Sequence, residues 1–278
     1  MAQSILENAG PARVGIIIHA DHFSEGATDE NNILWNNYYE YVFAQHKHVD
    51  FYVTATVVQN NLLCRQFEQY AHDRLNVVTI PVGSIDELKK PVKPRKKHAL
   101  VTASRLAPEK HTEWLVKAVA AAAKVIPDVS LDIYGKGGDE NKLRELIKKY
   151  NCSDRIRLMG HRDLTDIYVR YEAYISASTS EGFGLSLMEA AGSGLPIIGF
   201  DVRYGNQTFI DDGRNGYLIK IGDNMDASVM AEKLAECIVR LFSNEDLSAF
   251  HEHSYRKAEA YLTEEVEKRW QNLLEIKK

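Results

Sequence analysis

The sequence predicts an α/β protein built on doubly wound parallel sheets. Short, β-branched apolar runs alternate with helical patterns along almost the whole chain. Most of the runs are continuously apolar, as strands covered on both faces are. The 278 residues, 45% hydrophobic and 26% charged, have a globular composition and leave room for about two domains.

The strands are expected over 14–19, 51–56, 77–80, 99–103, 131–134, 156–159, 173–176, 196–199 and 217–219. Helices are expected between them. The first covers 31–45, with Leu34, Tyr38, Tyr41 and Val42 on one face. A second covers 109–124, with Leu115, Val119 and Ala122 at helical spacing, and a third covers 142–150. After Ile221 the pattern turns helical, over 227–242, 244–261 and 264–276. In the last of these Thr263 is a candidate N-cap, and Val266, Trp270 and Leu273 form the apolar face. This alternation predicts right-handed crossovers between parallel strands.

The segment 88–98 (LKKPVKPRKKH) breaks the rhythm with two prolines and six Lys or Arg residues. It reads as a solvated linker, or as a basic patch facing phosphate or an anionic membrane surface. The resulting division is 1–90 before the linker, 91–98 as linker, and 99–250 followed by the helical 251–278 after it.

The formal net charge of −5 gives no overall drive toward nucleic acid. No apolar run approaches the ~20 residues that span a bilayer. Cys64, Cys152 and Cys237 are widely spaced and odd in number, which suits reduced thiols in a cytoplasmic setting better than a disulfide frame.

The most informative stretch is 174–200, YISASTSEGFGLSLMEAAGSGLPIIGF. A strand runs into a polar loop holding Ser178 and Glu181, and Gly182-Phe183-Gly184 then opens a helix. Glycines at a helix N-terminus let a ligand approach free N–H groups. Glu189 lies about 7.5 Å into the helix, among apolar neighbours that require it to find a hydrogen-bonding partner. Alone, Glu181 and Glu189 could be a solvated loop acid and a solvated helix acid. Together they can address two parts of one extended ligand.

In LVTASRLAPEK, Arg105 and Lys110 follow a strand end, with Pro108 at a helix start and Lys110 in its first turn. Ligands of open α/β sheets bind at such ends. Two fixed cations there suit a diphosphate, although each alone could be an ordinary surface charge. Tyr134-Gly135-Lys136-Gly137-Gly138 is neither a dinucleotide fingerprint nor a P-loop and reads as a tight strand-to-helix turn. Gly160 and His161 close another strand, where their backbone could line a base pocket. His19 ends the first strand and is either a site residue or a satisfied core histidine. His19 and His22 lack a third ligand, so no metal site is expected.

The spacing Glu181-x7-Glu189 within EGFGLSLMEAAGSGLPII, preceded by Arg105-x4-Lys110, resembles the retaining family 4 glycosyltransferases of GT-B fold. VGIIIHADHFSEGATDENNILWNNYYEYVF, FYVTATVVQNNLL and VVTIPVGSIDEL are similar, more narrowly, to the accessory Sec transferases that act on serine-rich repeat adhesins. The resemblance runs from about Val14 to the C-terminus. It implies transfer of N-acetylglucosamine from UDP-GlcNAc to Ser/Thr hydroxyls of a polypeptide, with retention of configuration.

It further implies that Arg105 and Lys110 neutralise the diphosphate, and that Glu189 binds the ribose. Glu181 and the backbone of Gly182, Phe183 and Gly184 would hold the donor sugar. Gly160 and His161 would contact uridine, and His19 the sugar. No metal cofactor is implied. A partner glycosyltransferase subunit would be recruited through an insertion that does not occur in these residues. Contact with a membrane would be peripheral. Family members begin with a complete N-terminal Rossmann-like domain, so the resemblance implies a C-terminal half with a stub of that domain: 1–90 as a partial N-terminal Rossmann-like domain, 99–250 as a nucleotide-sugar-binding Rossmann-like domain, and 251–278 as helices returning toward the N-terminal domain. Alternatives are a wall teichoic acid α-glycosyltransferase and a non-catalytic partner subunit of the same fold.

Overall fold

The structure is a computed structural model and describes residues 10–19, 21–22, 35–222 and 226–275. Its chain divides into two compact units, Met1–Val82 with Arg269–Lys278, and Gly83–Lys268. The segment 91–98 thus lies within the second unit, as do residues 251–268.

The first unit carries a parallel sheet of β1 (Gly15–Ile18), β2 (Phe51–Thr54) and β3 (Val77–Thr79), in that order. Its helices are α1 (Asn37–Ala44) and α2 (Val57–Ala71). Ile18, Val42, Phe43, Tyr52, Leu63 and Phe67 form its core. The expected helix over 31–45 begins at Asn37, where the Asn36 side chain accepts from the Tyr38 N–H. Leu34 and most of 20–34 lie outside the described residues. Helix α2 was not expected. Its buried face includes Gln59 and Gln66, which interrupt the apolar stripe. Thr56 caps its start by accepting from the Gln59 N–H at 3.1 Å.

The second unit holds six parallel strands: β4 (Ala99–Ala103), β5 (Ser130–Tyr134), β6 (Ile156–Gly160), β7 (Ala173–Ile175), β8 (Ile197–Phe200) and β9 (Gly216–Ile219). Their order is β6-β5-β4-β7-β8-β9, the doubly wound arrangement. Strand order reverses between β4 and β7, and a crevice outside the carboxyl ends of those strands is where such sheets bind ligands.

The helices are α3 (Thr112–Ala122), α4 (Glu140–Lys149), α5 (Leu185–Gly192), α6 (Gly205–Phe209), α7 (Ala227–Phe242), α8 (Ser248–Glu259) and α9 (Thr263–Glu275). α3 packs against α7, and α5 against α8. The main core runs through Leu100, Trp114, Val119, Leu131, Ile198, Phe200, Leu234 and Ile238. Among the described residues no helix is long and apolar enough to cross a membrane.

Two local expectations need correction. Helix α3 starts at Thr112, because His111 takes a left-handed conformation (φ 44°) and stacks on Trp114 at 3.9 Å. Lys110 therefore closes a short 3-10 turn, Pro108–Lys110, ahead of the helix. The basic segment is also not solvated throughout. Arg95 is drawn inward and donates to the carbonyls of Val169, Tyr171 and Ser193.

Candidate functional site

Three loops meet at the carboxyl ends of β4, β5 and β6. The Ser104 N–H donates to the Tyr134 carbonyl at 3.1 Å, and the Leu106 N–H to the Lys136 carbonyl at 3.0 Å. The Gly135 N–H donates to the Gly160 carbonyl at 2.9 Å. Glycine is required at position 135, where φ is +133° and a Cβ would fall 1.8 Å from the Ser104 carbonyl oxygen. The 134–138 turn is thus a brace between neighbouring loops.

These loops, with one face of α5, enclose a cleft of about 610 Å³. Arg105, Tyr134, His161, Tyr168, Ser186 and Glu189 are among its lining residues. The structure therefore gathers three of the expected site residues around one space: Arg105, His161 and Glu189. Gly160 adjoins them with φ +69°, and no atom lies within 4 Å of where its Cβ would be.

Lys110 and Glu181 form a second cluster beside the cleft. Lys110 Nζ donates to Glu181 Oε2 at 2.8 Å and to Ser178 Oγ at 3.2 Å. The Glu181 backbone is pinned by the neighbouring loop. Its carbonyl accepts from the Tyr204 and Gly205 N–H groups at 2.7 and 2.9 Å. Tyr174 ties two walls of the cleft together, the end of β4 and the start of α5. Its hydroxyl donates to the Ala103 carbonyl at 3.1 Å and lies 3.0 Å from Ser186 Oγ. Burial, with Glu181 as a lesser contributor, pushes the Tyr174 pKa up to about 12.

Gly184 precedes α5 with φ +86°, a conformation that glycine adopts without strain. The first N–H groups of α5 have no partner within the helix, so an oxygen-rich ligand can use them. Phe183 contributes differently. Its ring is buried against Phe209 and Tyr261, so only its backbone is available to a ligand. Gly182 sits half-buried in the same loop.

Glu189 is exposed on the cleft wall and not enclosed among its apolar neighbours, because its position on α5 faces the cleft. The packing around it still raises its pKa, chiefly by desolvation. The Tyr168 hydroxyl donates to Glu189 Oε2 at 3.4 Å and opposes that rise, while the Asp163 charge adds to it. His19 follows β1 in the first unit and is exposed, which removes the core-histidine alternative.

Sequence reasoning missed Tyr134, Tyr168, Tyr174 and Ser186. Tyr134 shows how such a wall is held. Tyr171 donates to the buried Asp132 carboxylate at 2.7 Å, so Tyr134 must donate to Tyr171, at 2.9 Å. Arg157 closes the chain on Asp132 at 2.7 Å. Of the four missed residues only Tyr134 closes a strand; Tyr168 lies in the 3-10 turn Tyr168–Arg170, Tyr174 in the middle of β7 and Ser186 on α5, so no shared sequence signal marks them. Among the described residues no three His, Cys, Asp or Glu side chains gather as a metal site would need.

Known proteins resemble this chain over nearly its whole length. The family described as glycosyl transferases group 1 matches residues 84–249. The chain is 50% identical over 274 residues to the UDP-N-acetylglucosamine–peptide N-acetylglucosaminyltransferase GtfA subunit of Streptococcus gordonii, covering 99% of this chain and 54% of that protein. The crystal structure of the pneumococcal O-GlcNAc transferase GtfA in complex with UDP and GlcNAc superposes with a TM-score of 0.91 at 49% identity, over 99% of this chain and 54% of the other. A chain from the crystal structure of a GtfA/B complex gives 0.94 at 50% identity, over 98% and 54%. The chain thus spans about half the length of the proteins it matches. With the family matched across more than half of its residues and the site at the switch point of its sheet, this chain belongs to the glycosyl transferases group 1 family.

Proposed function

We propose that this chain carries the donor-nucleotide site of a retaining transferase that moves N-acetylglucosamine from UDP-GlcNAc to Ser/Thr hydroxyls of a serine-rich repeat polypeptide. The observation that carries the reading is the Lys110–Glu181 ion pair standing beside a cleft lined by Arg105 and Glu189. Such a set suits an elongated ligand with a doubly charged centre, vicinal hydroxyls at one end and a sugar at the other.

In this reading Arg105 and Lys110 contact the diphosphate. Negative charge grows on its outer oxygen as the anomeric C–O bond breaks, and fixed cations stabilise that charge most in the transition state. They supply the positive charge that a divalent ion supplies elsewhere, so no metal enters the proposal. Glu189 accepts from the ribose hydroxyls. Glu181 and the backbone of Gly182, Phe183 and Gly184 hold the sugar hydroxyls. Gly160 and His161 line the uracil end, and His19 of the first unit contacts the sugar. The acceptor oxygen bonds the anomeric carbon on the face that UDP leaves, and its proton passes to the departing phosphate oxygen.

The likeness to a chain solved as a GtfA/B complex supports a second glycosyltransferase subunit as partner. The expected location is the cytoplasm, where the nucleotide sugar is available, with membrane contact at most peripheral.

Titration calorimetry with UDP tests the reading. The chain is expected to bind UDP, and Lys110→Ala or Glu189→Ala to weaken binding by about tenfold or more, the scale of a lost charge-assisted hydrogen bond. A chain indifferent to UDP would refute it.

A further inference from the structure

Ser178 lies in the polar loop between β7 and Glu181 and is only 2% exposed. Its hydroxyl stands 2.7 Å from the Ser180 carbonyl and 3.2 Å from Lys110 Nζ. The protons can be placed without ambiguity. A carbonyl only accepts and an ammonium only donates. The single Ser178 proton therefore goes to the Ser180 oxygen, and a lone pair of Oγ faces Lys110.

An ammonium has three donor protons. One goes to Glu181 Oε2 at 2.8 Å and a second to Ser178 Oγ. With two directions fixed, the third N–H has one direction left. Without Ser178 the ammonium could rotate about the Glu181 bond, and a free lysine end has much rotamer entropy to lose on binding. The same hydroxyl ties the loop to itself through the Ser180 carbonyl, one residue before Glu181. The Ser178 N–H also meets Ser176 Oγ at 3.2 Å, which anchors the turn just beyond β7. The Lys110 and Glu181 side chains are 16% and 21% exposed, so solvent screens the group only partly.

We propose that Ser178 is a positioning residue for Lys110, aiming its free N–H at the phosphate oxygens of a nucleoside diphosphate. The proposal rests on the reading of Lys110 as a diphosphate contact. Ser178 acts only through Lys110, and its deletion should matter only while Lys110 is present.

The test is UDP titration calorimetry on the full 278-residue chain, with thermal unfolding recorded for every variant. Ser178→Ala is expected to weaken UDP binding by about tenfold, as for a hydrogen bond to a charged group. Ser178→Thr, which restores a hydroxyl, should recover most of that loss. Ser178→Cys keeps the volume but is a weak donor and acceptor, so it should behave like Ser178→Ala and serves if the alanine variant does not fold. In a Lys110→Ala background, Ser178→Ala should change binding by less than about twofold. Unchanged UDP affinity in both Ser178→Ala and Ser178→Cys would overturn the proposal. An equal loss with and without Lys110 would overturn it too, since Ser178 would then act elsewhere. If Lys110→Ala alone leaves UDP binding intact, the diphosphate reading of Lys110 itself fails, a separate and recognisable outcome.

Discussion

Arg95 Nη2 donates to the carbonyl of Ser193 at 2.7 Å, at the C-terminal end of the helix that carries Glu189. That end would otherwise leave carbonyls without partners. The Lys89 N–H takes the Gly192 carbonyl at 2.9 Å, and Ser254 Oγ takes that of Leu195 at 2.8 Å. The Tyr255 hydroxyl donates to the Lys89 carbonyl at 2.9 Å and accepts from Arg95 Nη2 at 3.2 Å. A guanidinium also suits the negative end of a helix dipole. Arg95→Ala strips partners from three carbonyls at once and is expected to cost about 3 kcal/mol, measured by urea unfolding. Arg95→Lys, with a point charge in place of a fork, should recover less than half of it.

Acid should weaken donor binding at a higher pH than an ordinary glutamate would give. In the proposed role the Glu189 carboxylate must be ionised to accept from the ribose, and desolvation by the packing around it holds its pKa above the usual range. The Tyr168 hydroxyl lowers that pKa, so Tyr168→Phe should move the acid limb further up. Asp163 raises it, so Asp163→Asn should move the limb down. Arg105, Lys136, His161 and Arg162 line the same cleft and contribute equally to the variants being compared. UDP-GlcNAc is the ligand to titrate, because the terminal phosphate of UDP itself ionises near pH 6. A limb that Tyr168→Phe leaves in place would contradict this account.

The same shift has a consequence for stability. A carboxyl whose pKa is higher in the folded than in the unfolded chain contributes no penalty below its unfolded value. It destabilises as pH rises through the window between the two. Glu189→Gln is therefore expected to stabilise the ligand-free chain at pH 7 slightly while weakening nucleotide binding. Thermal melts with and without UDP-GlcNAc would show the two effects in opposite directions.

Arg105 and Lys110 should differ in their response to salt. The Arg105 side chain is 78% exposed and pairs with Glu109, four residues along the chain, at 2.9 Å. Lys110 is held among half-buried groups. Raising ionic strength from about 0.05 to 0.5 M shortens screening to a few ångströms. The effect of Arg105→Ala on UDP affinity should then shrink severalfold while that of Lys110→Ala persists. Equal salt sensitivity in the two variants would count against the geometry.

Gly205 sits where a Cβ would come within 2.4 Å of the Phe183 carbonyl oxygen. Neither atom can yield without moving the 181–184 loop, whose Glu181 carbonyl is held by the Gly205 N–H. Gly205→Ala is expected to lower UDP-GlcNAc affinity by more than tenfold, because a small misplacement of binding groups is costly. Calorimetry beside a urea titration separates that loss from global unfolding.

Each of the nine strands among the described residues was legible in the sequence to within a residue or two, because parallel strands are short, mostly apolar runs with sharp ends. The pairing of Arg105 and Glu189 in one cleft was legible for the same reason: strand ends locate the crevice. Helix α2 was hidden by Gln59 and Gln66, polar residues on a buried face. Gln66 is satisfied by a 2.9 Å bond between its Oε1 and His22 Nε2, a partner 44 residues away that no local pattern reveals. Arg95 read as one more charge in a basic run, since its carbonyl partners lie in segments 74 to 98 residues distant. The left-handed turn at His111 depends on stacking against Trp114, which spacing alone does not encode.

The Lys110–Glu181 bond joins residues 71 apart in the chain, across the two strands where sheet order reverses. No local segment can assemble it. The cleft proposed for the nucleotide comes into being only when β4 and β7 pair, a non-local event that loop-closure entropy delays. Ligand protection is therefore an all-or-nothing report on this unit: a chain that binds UDP has closed its sheet, and intermediates on the way should be blind to the nucleotide.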